Sequence, residues 1–336
     1  MNITDFAQYL SKYFHEHLAH RRGVSPNTMK SYRDTFKLLL QYLQDRHKTV
    51  PEKVTLDILS SETICDFLAW VEKERSCSAR TKNQRLASLH SFFRYLQVEA
   101  PERIVQSQRI LAIPRCKWRS APVHYLSVEG IVALLSAPDR NTADGRRDAA
   151  LLTILYDSAA RVQEMADVSV RDLRLSPPAH VSLTGKGGKT RIVPLMDLTV
   201  SMMREYIDKE NLVLTERQDW PLFRNRRGER LTRFGIGHIL NKYIKAARRK
   251  DKSLSGKVSP HTLRHSKAMH LLEAGSNCIV IQAILGHADI KTTTMYARAN
   301  LDMMRKALEK TVTAPPERNN TKWKDDPDLL KWLKSL

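Results

Sequence analysis

The run His261-Thr262-Leu263-Arg264-His265 is the densest concentration of chemically capable side chains in this sequence. On a helix, positions 261, 264 and 265 share a face, so two imidazoles and a guanidinium can act together. Imidazole exchanges protons near neutral pH, and guanidinium holds anions through a planar fork of donors. Two histidines four residues apart also have a zinc-ligand spacing. The metalloprotease form of that spacing needs Glu beside the first His, and Thr262 and Leu263 fill that stretch. Histidines that merely satisfy buried polar groups are a third reading of the same run.

Three other places carry related chemistry. Leu285-Gly286-His287 follows, and Tyr296 comes nine residues later in a segment that reads as a short helix. Upstream, Tyr156-Asp157-Ser158-Ala159-Ala160-Arg161 ends a helical run at an arginine, with Glu164 just beyond. Gly185-Lys186-Gly187-Gly188-Lys189 lies between strand-like runs at 179–184 and 190–195, and so reads as the turn of a β-hairpin. With Thr190 the turn also has the ending of a phosphate-binding P-loop. That loop requires a glycine five residues before Gly188, where Leu183 stands, which argues against an ATPase.

Arginine, lysine, histidine, arginine, histidine and tyrosine, in this order and these contexts, resemble the tyrosine recombinase family. The resemblance covers a two-domain layout and is strongest over residues 125–300. Its specificity comes from the coincidence of His-x-Leu-Arg-His, Leu-Gly-His and Tyr; each alone is weak. It implies Arg161 as the first catalytic arginine, Lys186 as the lysine of the hairpin, and His261 and Arg264 as the His-x-x-Arg pair. It implies His287 as the third-box histidine and Tyr296 as the nucleophile. Lys189 rivals Lys186, and the family's Gly-Lys-Gly pattern favours Lys186. His265 fits as a packing and hydrogen-bonding residue. One position departs: the family usually has glycine before the first arginine, and here Ala160 stands where a helix-ending conformation is expected.

These residue types suit strand transfer on DNA. Two arginines can clamp the non-bridging oxygens of a phosphodiester without a metal. Tyrosine, with a pKa of about 10, needs a base such as His261. The departing 5′ oxygen needs an acid, for which Lys186 is placed, and His287 can donate a hydrogen bond to the phosphate. A 3′-phosphotyrosyl ester would conserve the bond energy, so no cofactor is expected.

The elements that must position these residues read as mainly α with a small β-sheet. Residues 3–99 read as helices only. Ser25-Pro26 is a helix start, and Tyr32, Phe36, Leu39, Leu40 and Leu43 form an apolar face after it. Ile64, Phe67, Leu68 and Val71 mark a shorter helix, and Leu86, Leu89, Phe93 and Leu96 the last. Together they form a four-helix bundle with Arg80, Lys82, Arg85 and Arg94 on its outer faces. Domains are expected at 1–110 (a helical core-binding, DNA-binding bundle) and 125–310 (a mixed α/β catalytic domain). Residues 111–124 read as a basic linker broken by Pro114 and Pro122. Helices are expected at about 146–158, 197–209, 233–249, 260–274, 276–285 and 290–298, with Gly275 and Gly286 as C-cap positions. By resemblance the two domains form a C-shaped DNA clamp, and the layout is Xer-like, without an extra arm-binding domain.

Composition agrees with a polyanionic partner. Lysine plus arginine total 56 against 36 acidic residues, a formal net charge of +20. The chain has no apolar run long enough to span a membrane and no signal pattern, so a cytoplasmic protein is expected. Cys65, Cys77, Cys116 and Cys278 lack metal-ligand spacing and read as free buried thiols. Residues 311–336 read as a flexible connector and an amphipathic segment. There Asp326-Pro327 starts a helix and Leu329, Leu330, Trp332, Leu333 and Leu336 share a face. Extended, the connector spans roughly 45 Å. The expected activity is a site-specific recombinase or integrase on double-stranded DNA, working as a tetramer that exchanges C-terminal helices. A type IB topoisomerase and a catalytically inactive DNA-binding relative are the alternatives.

Overall fold

The computed structural model describes residues 3–117, 123–212, 217–250, 254, 256–287 and 329–334. It divides into two compact units, Met1–Ala121 and Pro122–Leu336.

In the first unit, helix α1 (Asp5–Lys12) runs on as a π-helix, Tyr13–Arg21. Helices α2 (Pro26–His47), α3 (Ser61–Glu74) and α4 (Ala79–Glu99) complete the bundle. Each of α2, α3 and α4 starts at a serine, Ser25, Ser60 or Ser78, whose hydroxyl accepts from a backbone N–H three residues on. This satisfies one of the donors that a helix start leaves open. The apolar faces read from the sequence point inward: Phe36, Leu39, Leu43, Ile64, Phe67, Leu68, Val71, Leu86, Leu89, Phe93 and Leu96 are all buried. Tyr32 and Leu40 pack against them, partly covered. Phe92, at 0% exposure, is ringed by Phe6, Tyr13 and Phe36, with centroids 5.2–6.0 Å away.

Two basic residues expected on outer faces hold the bundle together. Lys82 pairs with Glu72 at 2.6 Å, and Arg85 donates to the Ser31 carbonyl and the Thr35 hydroxyl. Arg80 and Arg94 are exposed. A helix also stands in the proline-bounded stretch after residue 100: α5 (Ile104–Leu111) packs on α4, with Ile110 buried and its carbonyl bonded to His90 Nε2 at 3.1 Å. Its one short apolar face falls between prolines, so no long periodicity announced it.

The second unit comprises α6 (Val128–Leu135), α7 (Ala143–Asp157), α8 (Val162–Asp167) and strands β1 (Leu173–Arg174), β2 (His180–Thr184) and β3 (Thr190–Pro194). Helices α9 (Asp197–Lys209), α10 (Arg233–Lys250), α11 (Pro260–Glu273), α12 (Cys278–Leu285) and α13 (Leu329–Lys334) follow. The antiparallel sheet has the order β1-β2-β3, and Thr184 faces Thr190 across the hairpin. Val181, Leu183 and Val193 turn inward. Helix α7 is buried almost all round between α9 and α11, so Leu151 and Ile154 are covered as well as Ala149, Leu152 and Leu155. Asp157 at its end accepts from Lys267 Nζ (2.7 Å) and Thr199 Oγ1 (2.9 Å), joining α7 to α11 and α9.

The short elements α6, α8 and β1 carry too few residues for periodicity to reveal. The helix expected at 290–298 and the connector lie outside the described residues. The four cysteines are free, but Cys65 is exposed and the others only partly covered, so the expectation of buried thiols is corrected.

Phe92→Ala is expected to lower the stability of the first unit by about 3–5 kcal/mol, because its cavity lies inside a ring cluster. Chemical denaturation followed in residues 1–121 checks this, and an unchanged midpoint contradicts it.

Candidate active site

Helix α11 starts at Ser259, whose hydroxyl caps the Thr262 N–H, with Pro260 at the first helical position. That start fixes Arg264 one turn in, on the buried side. The Arg264 side chain belongs to a residue only 3% exposed. It donates from Nη1 to the Ala159 carbonyl at 2.7 Å and from Nη2 to the Leu285 carbonyl. One guanidinium thus ties together the ends of α7 and α12. Ala159 itself stands at φ 48°, in the left-handed region. The helix-ending conformation expected at Ala160 therefore falls one residue earlier, on a non-glycine residue that bears a cost of about 1–2 kcal/mol.

Arg161 follows as the N-cap of α8. Its backbone N–H donates to Glu164 Oε2 (2.8 Å), its Nη1 to Glu164 Oε1 (2.6 Å) and its Nη2 to the Gly286 carbonyl (3.3 Å). Glu164, with its side chain 4% exposed, also accepts from Arg191 Nη2 at 2.8 Å. Burial alone would raise the Glu164 pKa. Hydrogen bonds from Arg191 and Arg161 and the Arg191 charge outweigh it and bring the value down to about 2.

Gly286 ends α12 at φ 62°, and its N–H donates to the Gln282 carbonyl at 2.8 Å. A Cβ there would lie 2.8 Å from Arg191 Cδ, so glycine is required both by conformation and by the arginine packed beneath it. The turn delivers His287 directly after it. Burial, then the charges of Arg264, Arg161 and Arg191 and the His265 ring, lower the His287 pKa to about 4. His287 is therefore neutral at physiological pH and offers one ring N–H as a donor. His261 is exposed on the first turn of α11, with its ring centroid 6.5 Å from that of His265. Partial desolvation and neighbouring positive charge lower the pKa of both.

The hairpin root abuts this cluster. A Cβ on Gly185 would lie 3.0 Å from Glu164 Oε1 and 3.8 Å from Arg161 Nη1. Lys186 opens the tight turn Lys186–Gly188, in which Gly187 and Gly188 have φ 78° and 72°. Lys189 is exposed at the start of the return strand, and its carbonyl accepts from the Gly185 N–H at 2.8 Å. Tyr296 lies outside the described residues.

Of the residues singled out in the sequence, Arg161, Arg264 and His287 are brought together, with His261 and His265 on the same helix start. Sequence reasoning missed Arg191. An arginine on a hairpin strand looks like an exposed charge, and only the small Gly286 across from it hints at close packing. His270 is a structural histidine: Nδ1 meets the Tyr156 hydroxyl at 2.8 Å and Nε2 the Leu126 carbonyl at 2.9 Å.

The model of the family described as "Phage integrase family" matches residues 124–302. The chain belongs to the phage integrase family of tyrosine recombinases. The N-terminal SAM-like domain of phage integrases matches residues 12–100 of this recombinase. A Sinorhizobium fredii protein provisionally named integrase/recombinase y4rC is 37% identical over 99% of either chain. Tyrosine recombinase XerD of Oceanobacillus iheyensis is 35% identical, covering 86% of this chain and 93% of its own. Two solved structures share the fold of the recombinase. XerH bound to its palindromic difH substrate, 20% identical, covers 86% of this chain and 81% of its own with a TM-score of 0.67. The Tn1549 transposon integrase with circular intermediate DNA, 19% identical, covers 93% and 100% with a TM-score of 0.69.

Two outcomes follow from the site's electrostatics and packing. Between pH 6.5 and about 4 the unfolded chain takes up a proton at His287 that the folded protein refuses. Stability is therefore fully present above pH 6.5 and falls as pH drops through that window. Melting temperature against pH should show this slope, reduced in His287→Asn; equal slopes contradict it. Gly286→Ala should cost at least about 1 kcal/mol from the left-handed φ alone, and an unchanged melting temperature would contradict the requirement for glycine at this turn.

Proposed function

We propose that this recombinase cuts and rejoins DNA strands through a covalent bond between a 3′ phosphate and Tyr296. The observation that carries the reading is the convergence of Arg161, Arg264 and His287 on the paired ends of α7 and α12. Two guanidiniums beside a neutral imidazole form a site for a phosphodiester, whose charge grows as it is attacked. His287, as a neutral donor, would bond a non-bridging oxygen.

The steps balance without a redox partner. The Tyr296 oxygen forms a bond to phosphorus, and the bond to the 5′ oxygen breaks. The phenol proton passes to His261, and Lys186 supplies the proton that the 5′ oxygen takes up. Attack by another strand's 5′ hydroxyl reverses the sequence and releases the tyrosine. The positive charge around the phosphate comes from the arginines, so neither a metal nor ATP enters the reaction. The His261 pKa is lowered from its ordinary value, which keeps it in the base form at neutral pH.

The partner is double-stranded DNA carrying specific recombination sites, which suits the net charge of +20. Residues 1–110 would form the core-binding bundle and 125–310 the catalytic domain, acting in the cytoplasm. Strand exchange between two sites calls for four protomers. Helix α13, with Leu333 52% exposed, would dock on a neighbouring protomer, since so short a helix is marginal alone.

Nicked suicide duplexes tiled from the DNA flanking the gene test the chemistry. Wild type should give a protein–DNA adduct on denaturing gels and Tyr296→Phe none; an adduct in the mutant moves the nucleophile to another tyrosine. Lys186→Ala should cleave slowly on ordinary DNA and recover on a 5′-bridging phosphorothiolate, because sulfur leaves without a proton. Recovery with Lys189→Ala instead assigns the acid to that lysine.

A further inference from the structure

Arg191 is a largely covered cation to which the reaction above gives no part. Its side chain is 13% exposed. It stands on β3, on the return strand of the hairpin that carries Lys186. One of its amino groups holds Glu164 at 2.8 Å, and its Nε donates to the Ile284 carbonyl at 2.8 Å. Its Cδ fills the space beneath Gly286 that a Cβ would occupy. It therefore touches the carboxylate that orients Arg161, the last turn of the helix before His287, and the strand that leads out of the lysine turn.

We infer that Arg191 is a positioning residue that locks the Arg161–Glu164 pair, the His287 turn and the Lys186 hairpin into one rigid unit. Resting on the reading of the site as the strand-transfer centre, this adds a residue that touches no substrate yet sets the geometry of those that do. The planar fork matters: a guanidinium can serve Glu164 and Ile284 at once, whereas an ammonium is a point charge without fixed directions. The groups that bear on His287 are Arg264, Arg161, Arg191 and His265. Removing Arg191 takes away one of these charges and opens the turn to water, and both changes raise the affinity of His287 for a proton.

The test uses full-length protein labelled at histidine, with His287→Asn to assign the resonance. In wild type His287 should titrate near pH 4. In Arg191→Met it should titrate at least about one unit higher, as loss of a neighbouring charge and of desolvation predicts. A His287 titration left in place would show that Arg191 does not bear on the His287 turn and would overturn the inference. A shift shows that it does, and the Arg191→Lys variant, which keeps the charge, separates positioning from charge alone. Where the Met variant does not fold, Arg191→Lys decides. It should fold and bind duplex DNA within about twofold of wild type yet form adduct about 100-fold more slowly at saturating DNA, the scale of a small misplacement. Adduct formation at the wild-type rate by a folded Arg191→Lys would overturn the inference. Glu164→Gln with Arg191→Lys should be no worse than either change alone, since the two act as a unit; additive losses would contradict that. Absence of adduct in wild type would sink the strand-transfer reading, while the titration still judges Arg191.

Discussion

The guanidinium of Arg264 sits in the interior of its unit, bonded to the carbonyls of Ala159 and Leu285. Burying a charge is expensive unless hydrogen bonds replace its water. Those two carbonyls belong to Ala159, two residues before Arg161, and to Leu285, directly before Gly286–His287. Satisfying one buried cation thus draws the ends of α7 and α12 to α11. Residues more than a hundred positions apart in the sequence then meet at one place. Ala159 holds a left-handed conformation in the same arrangement, and its carbonyl is one of the two that Arg264 needs.

Around this anchor the charges are graded by burial. Glu164 is almost fully covered and stays ionised because Arg161 and Arg191 donate to it, which carries its pKa to about 2. Arg161 remains partly exposed, with its side chain at 38%. His287 meets net positive surroundings and resists protonation down to about pH 4. A site arranged in this way favours an incoming anion over a proton, which suits a phosphodiester. The same surroundings make the site an expected source of acid sensitivity: a proton forced onto His287 enters a cluster already rich in positive charge.

Much of this was legible in the sequence because the chemistry sits at helix ends with local signals. Ser259-Pro260 marks where α11 starts, Gly286 where α12 stops, and the hairpin glycines mark the turn at Lys186. The bundle helices carried long apolar faces, and those faces are the core. What escaped was set by contacts distant in sequence. Helices α5, α6 and α8 are too short for a period to show, and α7 is buried almost all round, so its pattern showed one face only. Arg191 looks like a solvated strand charge until Gly286 is placed above it. The outward basic face read for the bundle included Lys82 and Arg85, which pair internally, because a sequence does not say which charges find partners.

The central claim, that Arg161, Arg264 and His287 serve one phosphate opposite Tyr296, is tested most directly by a crystal structure with orthovanadate. Vanadate should bridge the two ends of a cleaved DNA strand as a mimic of five-coordinate phosphorus. Both guanidiniums and the His287 ring should contact its equatorial oxygens, with the Tyr296 oxygen at one apex and the 5′ oxygen at the other. Vanadate bound away from these three side chains, or with a different residue at the apex, contradicts it.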